Sequence, residues 1–125
     1  MIFLFDTNTL IHGLAGVDPY ASLLESHIKD KSLSLSVITV SEFLSGVTGR
    51  EELVFKSLLQ KVNVLPVDVI VAETAANYRK EFNKKTKKVW LFDCLIAATA
   101  KVYGAILVTS DKHDYPMKDI QIHLI

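Results

Sequence analysis

Ile2-Phe3-Leu4-Phe5 is apolar at four consecutive positions and is stopped by Asp6-Thr7-Asn8. A short run apolar on both faces suits an inner strand of a parallel sheet covered by helices on each side. Leu33 to Ile38 and Val62 to Val67 are further strand candidates, the second with Pro66 near its end. Ala105 to Val108 is a fourth, ended by Thr109-Ser110-Asp111, and Ile120 to Leu124 alternates as a terminal strand would.

Between these runs the spacing turns helical. Thr9 to Lys29 carries scattered Leu and Ile around Gly13, Gly16 and Pro19, which predicts two short helices broken near Val17-Asp18-Pro19. Thr39 opens a helix to about Gly46, and Glu51 to Lys61 sets Leu53, Phe55, Leu58 and Leu59 at helical intervals. Asp68 is a natural N-cap for a helix to Asn83 with Val71, Ala72, Ala75 and Tyr78 on one stripe. An Ala-rich helix starts at Phe92 or Asp93 and ends at Tyr103, with Gly104 as its stop. Strands separated by helices predict an α/β fold, three layers α/β/α around a central, mainly parallel sheet, in one domain over residues 1–125.

Composition narrows the class. Half of the 125 residues are hydrophobic and 22% are charged, which describes a globular chain and not a disordered one. Fourteen Lys and Arg balance fourteen Asp and Glu, so global attraction to nucleic acid is weak and only local patches remain open. The single cysteine, Cys94, excludes an intramolecular disulfide and a Cys-rich zinc site, and reads as a small core residue. His12, His27, His113 and His123 lack the H-x-x-x-H spacing of a helical zinc site. No apolar run reaches about 18 residues, so no membrane span is expected. The N-terminal run lacks a basic lead-in and is broken by Asp6, which argues against a signal peptide and for a cytoplasmic protein.

Acids sit where the strands end. Asp6 directly follows the first strand, Glu42 lies a few residues after the second, and Asp111 follows the fourth by two. Ligands of open parallel sheets bind beyond the carboxyl ends of the strands, so these three acids rise on one edge. Asp93, near the start of the helix before the fourth strand, is able to join them if that helix runs antiparallel to the sheet, but an ideal unit puts the helix start at the other edge, so local sequence leaves Asp93 unplaced. Convergent carboxylates repel unless a cation sits among them, and hard oxygen donors suit Mg²⁺ or Mn²⁺. Each acid also has a plainer role. Asp6 turns the chain, and Thr39-Val40-Ser41-Glu42 matches a capping box, which alone is the better reading of Glu42. Asp93 is a possible N-cap and Asp111 a loop acid. The argument rests on four such positions together.

Asp6-Thr7-Asn8, Thr39-Val40-Ser41-Glu42-Phe43, Asp93-Cys94-Leu95-Ile96-Ala97-Ala98-Thr99-Ala100, Leu107-Val108-Thr109-Ser110-Asp111 and Asp114-Tyr115 together resemble the PIN domain, in particular its VapC-like toxin branch, over essentially the whole chain. The resemblance implies that Asp6, Glu42, Asp93 and Asp111 form an acidic cluster binding Mg²⁺ or Mn²⁺. It places Asp93, which local reasoning leaves open. It also implies endoribonuclease activity, a cognate antitoxin and a homodimer. Asn8 and Thr109 have side chains able to orient a neighbouring carboxylate, and Asp114 is a further outer ligand or a surface loop acid.

Arg79, Lys80, Lys84, Lys85, Lys87 and Lys88 crowd ten residues that contain one acid, Glu81, a local charge of +5. Such a patch binds phosphate backbones, and the neighbouring Tyr78, Trp90 and Phe92 are able to stack on unpaired bases. The plainer reading is a solvated helix end. The stretch leads straight into Asp93, which sets phosphate-binding charge beside the acids.

The leading expectation is therefore a metal-dependent endoribonuclease, the toxin of a toxin–antitoxin pair. A housekeeping nuclease of the same family is the alternative. A haloacid-dehalogenase-like phosphatase is disfavoured, since it needs a second Asp where Asn8 stands, and a non-catalytic RNA-binding module is disfavoured because all four acids are present. Leu14, Leu23, Phe43 and Phe55 are candidates to line a groove for an amphipathic antitoxin segment.

Overall fold

The N-terminal apolar run becomes the central strand of the sheet. In the computed structural model, which describes residues 1–84 and 87–125, the strands are β1 (Phe3–Phe5), β2 (Leu33–Ser36), β3 (Asn63–Leu65), β4 (Ile106–Thr109) and β5 (Gln121–Leu124). They lie in the order β3-β2-β1-β4-β5, with every neighbouring pair parallel. Leu4 pairs with Ser34 on one side and Leu107 on the other. The helices are α1 (Thr7–Leu14), α2 (Tyr20–Lys29), α3 (Val37–Ser45), α4 (Gly49–Leu59), α5 (Val69–Phe82) and α6 (Leu91–Tyr103).

Alternation along β1 separates two cores. Phe5 joins Leu10, Leu24, Leu35, Phe43, Phe55 and Leu58 under α1 to α4. Leu4 joins Val71, Ala75, Tyr78, Ile96, Ala97 and Leu107 under α5 and α6. Successive strand residues point to opposite faces, so these clusters are the two interlayer cores of the expected α/β/α sandwich. The sheet runs outward from β1 through β2 to β3, then returns to β4 and β5 on the other side. That reversal opens a crevice between the carboxyl ends of β1 and β4.

Three local expectations change. Val37 and Ile38 belong to α3 and not to β2, because Ser36 caps the helix by accepting the Ile38 N–H at 3.1 Å. Thr39 is therefore inside the first turn and Glu42 in the second, so the capping box is not formed. Ala72 is exposed while Val71, Ala75 and Tyr78 are buried, so the stripe of α5 is narrower than expected. α6 runs antiparallel to the sheet as expected, but its start does not lie at the other edge. It ends at Tyr103, Gly104 turns the chain in the left-handed region (φ +65°), and Ile106 bonds Ile2 at the amino edge of the sheet. The first turn of α6, with Asp93, thus stands at the carboxyl edge beside the other acids. Asp68 caps α5 as expected, accepting the Val71 N–H at 2.9 Å.

Candidate active site

Asp6 is both an ordinary helix cap and a buried carboxylate at the crevice. Its Oδ1 accepts the Thr9 N–H of α1 at 3.0 Å. Its Oδ2 accepts the Thr109 hydroxyl at 2.7 Å and the Tyr115 hydroxyl at 3.3 Å. The Thr109 hydroxyl in turn accepts the Asp111 N–H at 3.0 Å, so one side chain ties the end of β4 to the end of β1. Three donors hold a carboxylate in a fixed orientation with most of its burial cost offset.

Glu42 reaches the crevice from α3, where its Oε1 accepts the Thr7 hydroxyl. Thr7 also lies 3.3 Å from the hydroxyl of buried Thr39. Asp93 is half-buried in the first turn of α6, after an N-cap residue, Trp90, that makes no side-chain cap bond. Burial is the largest cause that pushes the Asp93 carboxyl up to about 7, followed by the charges of Asp114, Glu42, Asp6 and Asp111. Asp111 is exposed and accepts the His113 N–H at 3.2 Å at the start of the short 3-10 turn Lys112–Asp114. Asp114 is also raised, by burial first and then by the charge of Asp111 and a hydrogen bond with it, while Lys87 pulls it down.

The four expected acids thus share one crevice and sense one another, and Asp114 joins them. Among the described residues, no three His, Cys, Asp or Glu side chains close on a single point as they stand. The donor chemistry nonetheless fits a hard divalent cation: the carboxylates of Asp6, Glu42, Asp93, Asp111 and Asp114 are oxygen donors, and burial together with mutual repulsion raises Asp93 and Asp114.

Asn8 is exposed and makes no side-chain hydrogen bond among the described residues. Thr109 orients Asp6 as anticipated. Thr7 and Tyr115 were missed as supporting residues. Thr7 sits in the Asp6-Thr7-Asn8 turn, and its partner Glu42 is 35 residues away. Tyr115 carried no signal beyond following Asp114; its ring is buried and its phenol is pushed up by burial and the nearby acids, so it stays a donor. Of the basic stretch, Lys80, Lys84, Lys87 and Lys88 are exposed and Arg79 is half-buried, while Lys85 lies outside the described residues. A groove of roughly 800 Å³ runs beside Glu42, lined by Leu14, Phe43 and Phe55 together with Ile11, Val47 and Val54. Leu23 does not line it and packs into the core under α2.

In an open parallel sheet the crevice at the carboxyl ends of the strands is where ligands bind, and carboxylates gathered there suit a divalent cation. The PIN domain family matches residues 3–120, and the chain belongs to that family. It is 31% identical over 116 residues to ribonuclease VapC10 of Mycobacterium tuberculosis, covering 93% of this chain and 87% of the relative. A toxin–antitoxin complex from Klebsiella pneumoniae contains a similar chain, with TM-score 0.76 and 28% identity, covering 92% of this chain and 91% of that one. The fold is also that of a chain in VapBC2 from Rickettsia felis bound to a promoter DNA fragment, with TM-score 0.81, 21% identity and coverage of 100% and 99%.

Proposed function

We propose that this protein is a metal-dependent endoribonuclease and the toxin of a toxin–antitoxin pair, acting in the cytoplasm. The observation that carries the reading is the meeting of Asp6, Glu42, Asp93 and Asp111, from four separate elements, at one crevice of a PIN fold. The VapC relative, named a ribonuclease, supports the chemistry, and the toxin–antitoxin complexes among its structural neighbours support the partner.

These four acids would hold Mg²⁺ or Mn²⁺, with Asp114 outside them. When bound, the ion supplies an activated water and offsets charge on the phosphate and the leaving oxygen. The chain's own residues do the rest. Thr109 and Tyr115 hold Asp6 by its Oδ2, and Thr7 holds Glu42 by its Oε1. Without the ion the Asp93 carboxyl is pushed up to about 7 by burial and the neighbouring acids, and a cation held among them would favour its ionised, ligating form. Arg79, Lys80, Lys84, Lys85, Lys87 and Lys88 bind the RNA backbone, and Lys87 lies close enough to lower Asp114. An amphipathic antitoxin segment lies in the groove of Leu14, Phe43 and Phe55, with Glu42 in its wall to meet a basic side chain. A homodimer completes the assembly.

The test is cleavage of an end-labelled RNA with Mg²⁺, with chelator, and by Asp93→Asn. Cleavage by the wild type with Mg²⁺ alone is expected. Equal activity in chelator, or in Asp93→Asn, rejects the proposal.

A further inference from the structure

Trp90, Leu91 and Phe92 directly precede Asp93, and all three face solvent: Trp90 is 63% exposed and Phe92 54%. Neither ring is held by helix capping, since Trp90 makes no cap bond. Tyr78, at the start of the basic stretch, is shut off from solvent, being 5% exposed with its hydroxyl donated to Asp119 at 2.7 Å. On the other flank, Lys84 and Lys87 are set opposite each other by backbone bonds of 2.9 and 3.2 Å, and Lys84, Lys87 and Lys88 are exposed. Among the described residues, the ion pairs are Lys56–Glu52 and Lys101–Asp119, so none of these lysines is paired. The chain runs from this turn through Val89, whose N–H donates to Asn83 Oδ1 at 3.4 Å, straight into the first turn of α6 with Asp93, which sets the turn beside the acidic cluster.

We infer that Trp90 and Phe92 form a base-stacking platform that holds an unpaired base beside the phosphodiester presented to the acidic cluster. The inference rests on the proposed function and deepens it by naming the residues that select unpaired RNA. Flat aromatic rings bordered by lysines match a strand whose bases have free faces and whose backbone is anionic. A duplex hides those base faces, so it reaches only the lysines. A second copy of this chain fits less well, because mating the apolar triplets would bring two unpaired lysine turns together.

Trp90 is the only tryptophan, so its emission reports on the platform directly. The full chain, kept in chelator to prevent cleavage, is titrated with a labelled 12-nucleotide single-stranded RNA, the same strand with abasic nucleotides, and the same RNA as a duplex. Binding is read by polarisation of the label. The single strand is expected to quench Trp90 emission in step with binding, while the abasic strand and the duplex bind without quenching. Trp90→Ala and Phe92→Ala are each expected to weaken single-strand binding about tenfold and to leave abasic binding unchanged. Equal quenching by the abasic strand overturns the inference, as do variants that fold and bind single strands like the wild type. A shift of emission with protein concentration in the absence of RNA also overturns it, and makes the triplet a face between copies. The emission readings need no variant, so misfolding of Trp90→Ala does not weaken the test. A wild type that neither binds nor cleaves RNA removes the proposed function itself, whereas cleavage without quenching removes only the platform.

Discussion

The Asp93 carboxyl is raised by its burial and its acidic neighbours, and the sign of that shift makes a testable statement. Its folded-state value, about 7, lies above the ordinary 3.8, so the native protein holds a proton that the unfolded chain has already released between those values. Its effect is therefore a loss of stability that grows as pH rises through that window. His27 acts the other way. Its ring is buried between Phe3 and Phe5, burial lowers its value, and stability falls as pH drops below its ordinary 6.5. Comparing wild type with Asp93→Asn at each pH cancels the His27 effect. The metal-free variant is expected to gain on the order of 1 kcal/mol at pH 8, after allowing for solvent screening, and almost nothing at pH 4. Thermal melts across pH check this, and a gain independent of pH contradicts it. Tyr115→Phe removes one donor from Asp6 and keeps the buried ring. Losing such an orienting partner typically costs 10–100-fold in metal affinity or activity, so Mn²⁺ binding and RNA cleavage should fall by about that range with little change in melting temperature.

Among the helices, α3 shows how a cap moves a functional side chain. The Thr39-to-Glu42 spacing looks like a self-contained helix start, and the apolar Val37 and Ile38 look like strand. Ser36 starts the helix earlier and frees Glu42 to meet Thr7 on α1. Ser36→Ala should therefore cost about 1 kcal/mol of stability, read as a shift of denaturant midpoint. α1 and α2 meet as closely as their residues allow. A Cβ on Gly13 would stand 3.0 Å from Leu24 Cδ2 and 3.3 Å from the Tyr20 carbonyl. Gly13→Val is expected to cost about 1–3 kcal/mol by forcing the two helices apart.

Across the whole molecule, the groove and the acidic crevice share Glu42, so a segment seated in the groove has direct access to the proposed metal ligands. Val54 is half exposed on the groove wall and lies outside the crevice. Val54→Glu should leave fold and RNA cleavage intact while abolishing capture of the product of the adjacent small reading frame in co-expression. Undiminished capture would move the antitoxin site elsewhere. The proposed binding of RNA to the lysine-rich turn should be steeply sensitive to salt, whereas docking in the apolar groove should respond little.

The order of strands and helices, the inner position of β1 and the caps at Asp68 and Gly104 were legible along the chain, because each follows from local patterning, while the four acids were singled out there by strand ends and by the family resemblance. Four other features were decided by the tertiary structure. Asp93 is joined to Asp6 and Glu42 only because α6 must run antiparallel to β4, which lifts its first turn to the carboxyl edge. Glu42 finds Thr7 and not the Thr39 amide because Ser36 captures the helix start. Tyr115 becomes a donor to a carboxylate 109 residues away only when β4 docks beside β1. Tyr78 and Trp90 are both aromatic residues beside the basic stretch, yet packing into the core under α5 and α6 buries one, whose hydroxyl reaches Asp119, and leaves the other in water. Hydrophobic periodicity specifies which face of an element is buried. Which distant polar groups then meet depends on sheet order and helix direction, and no local spacing encodes those.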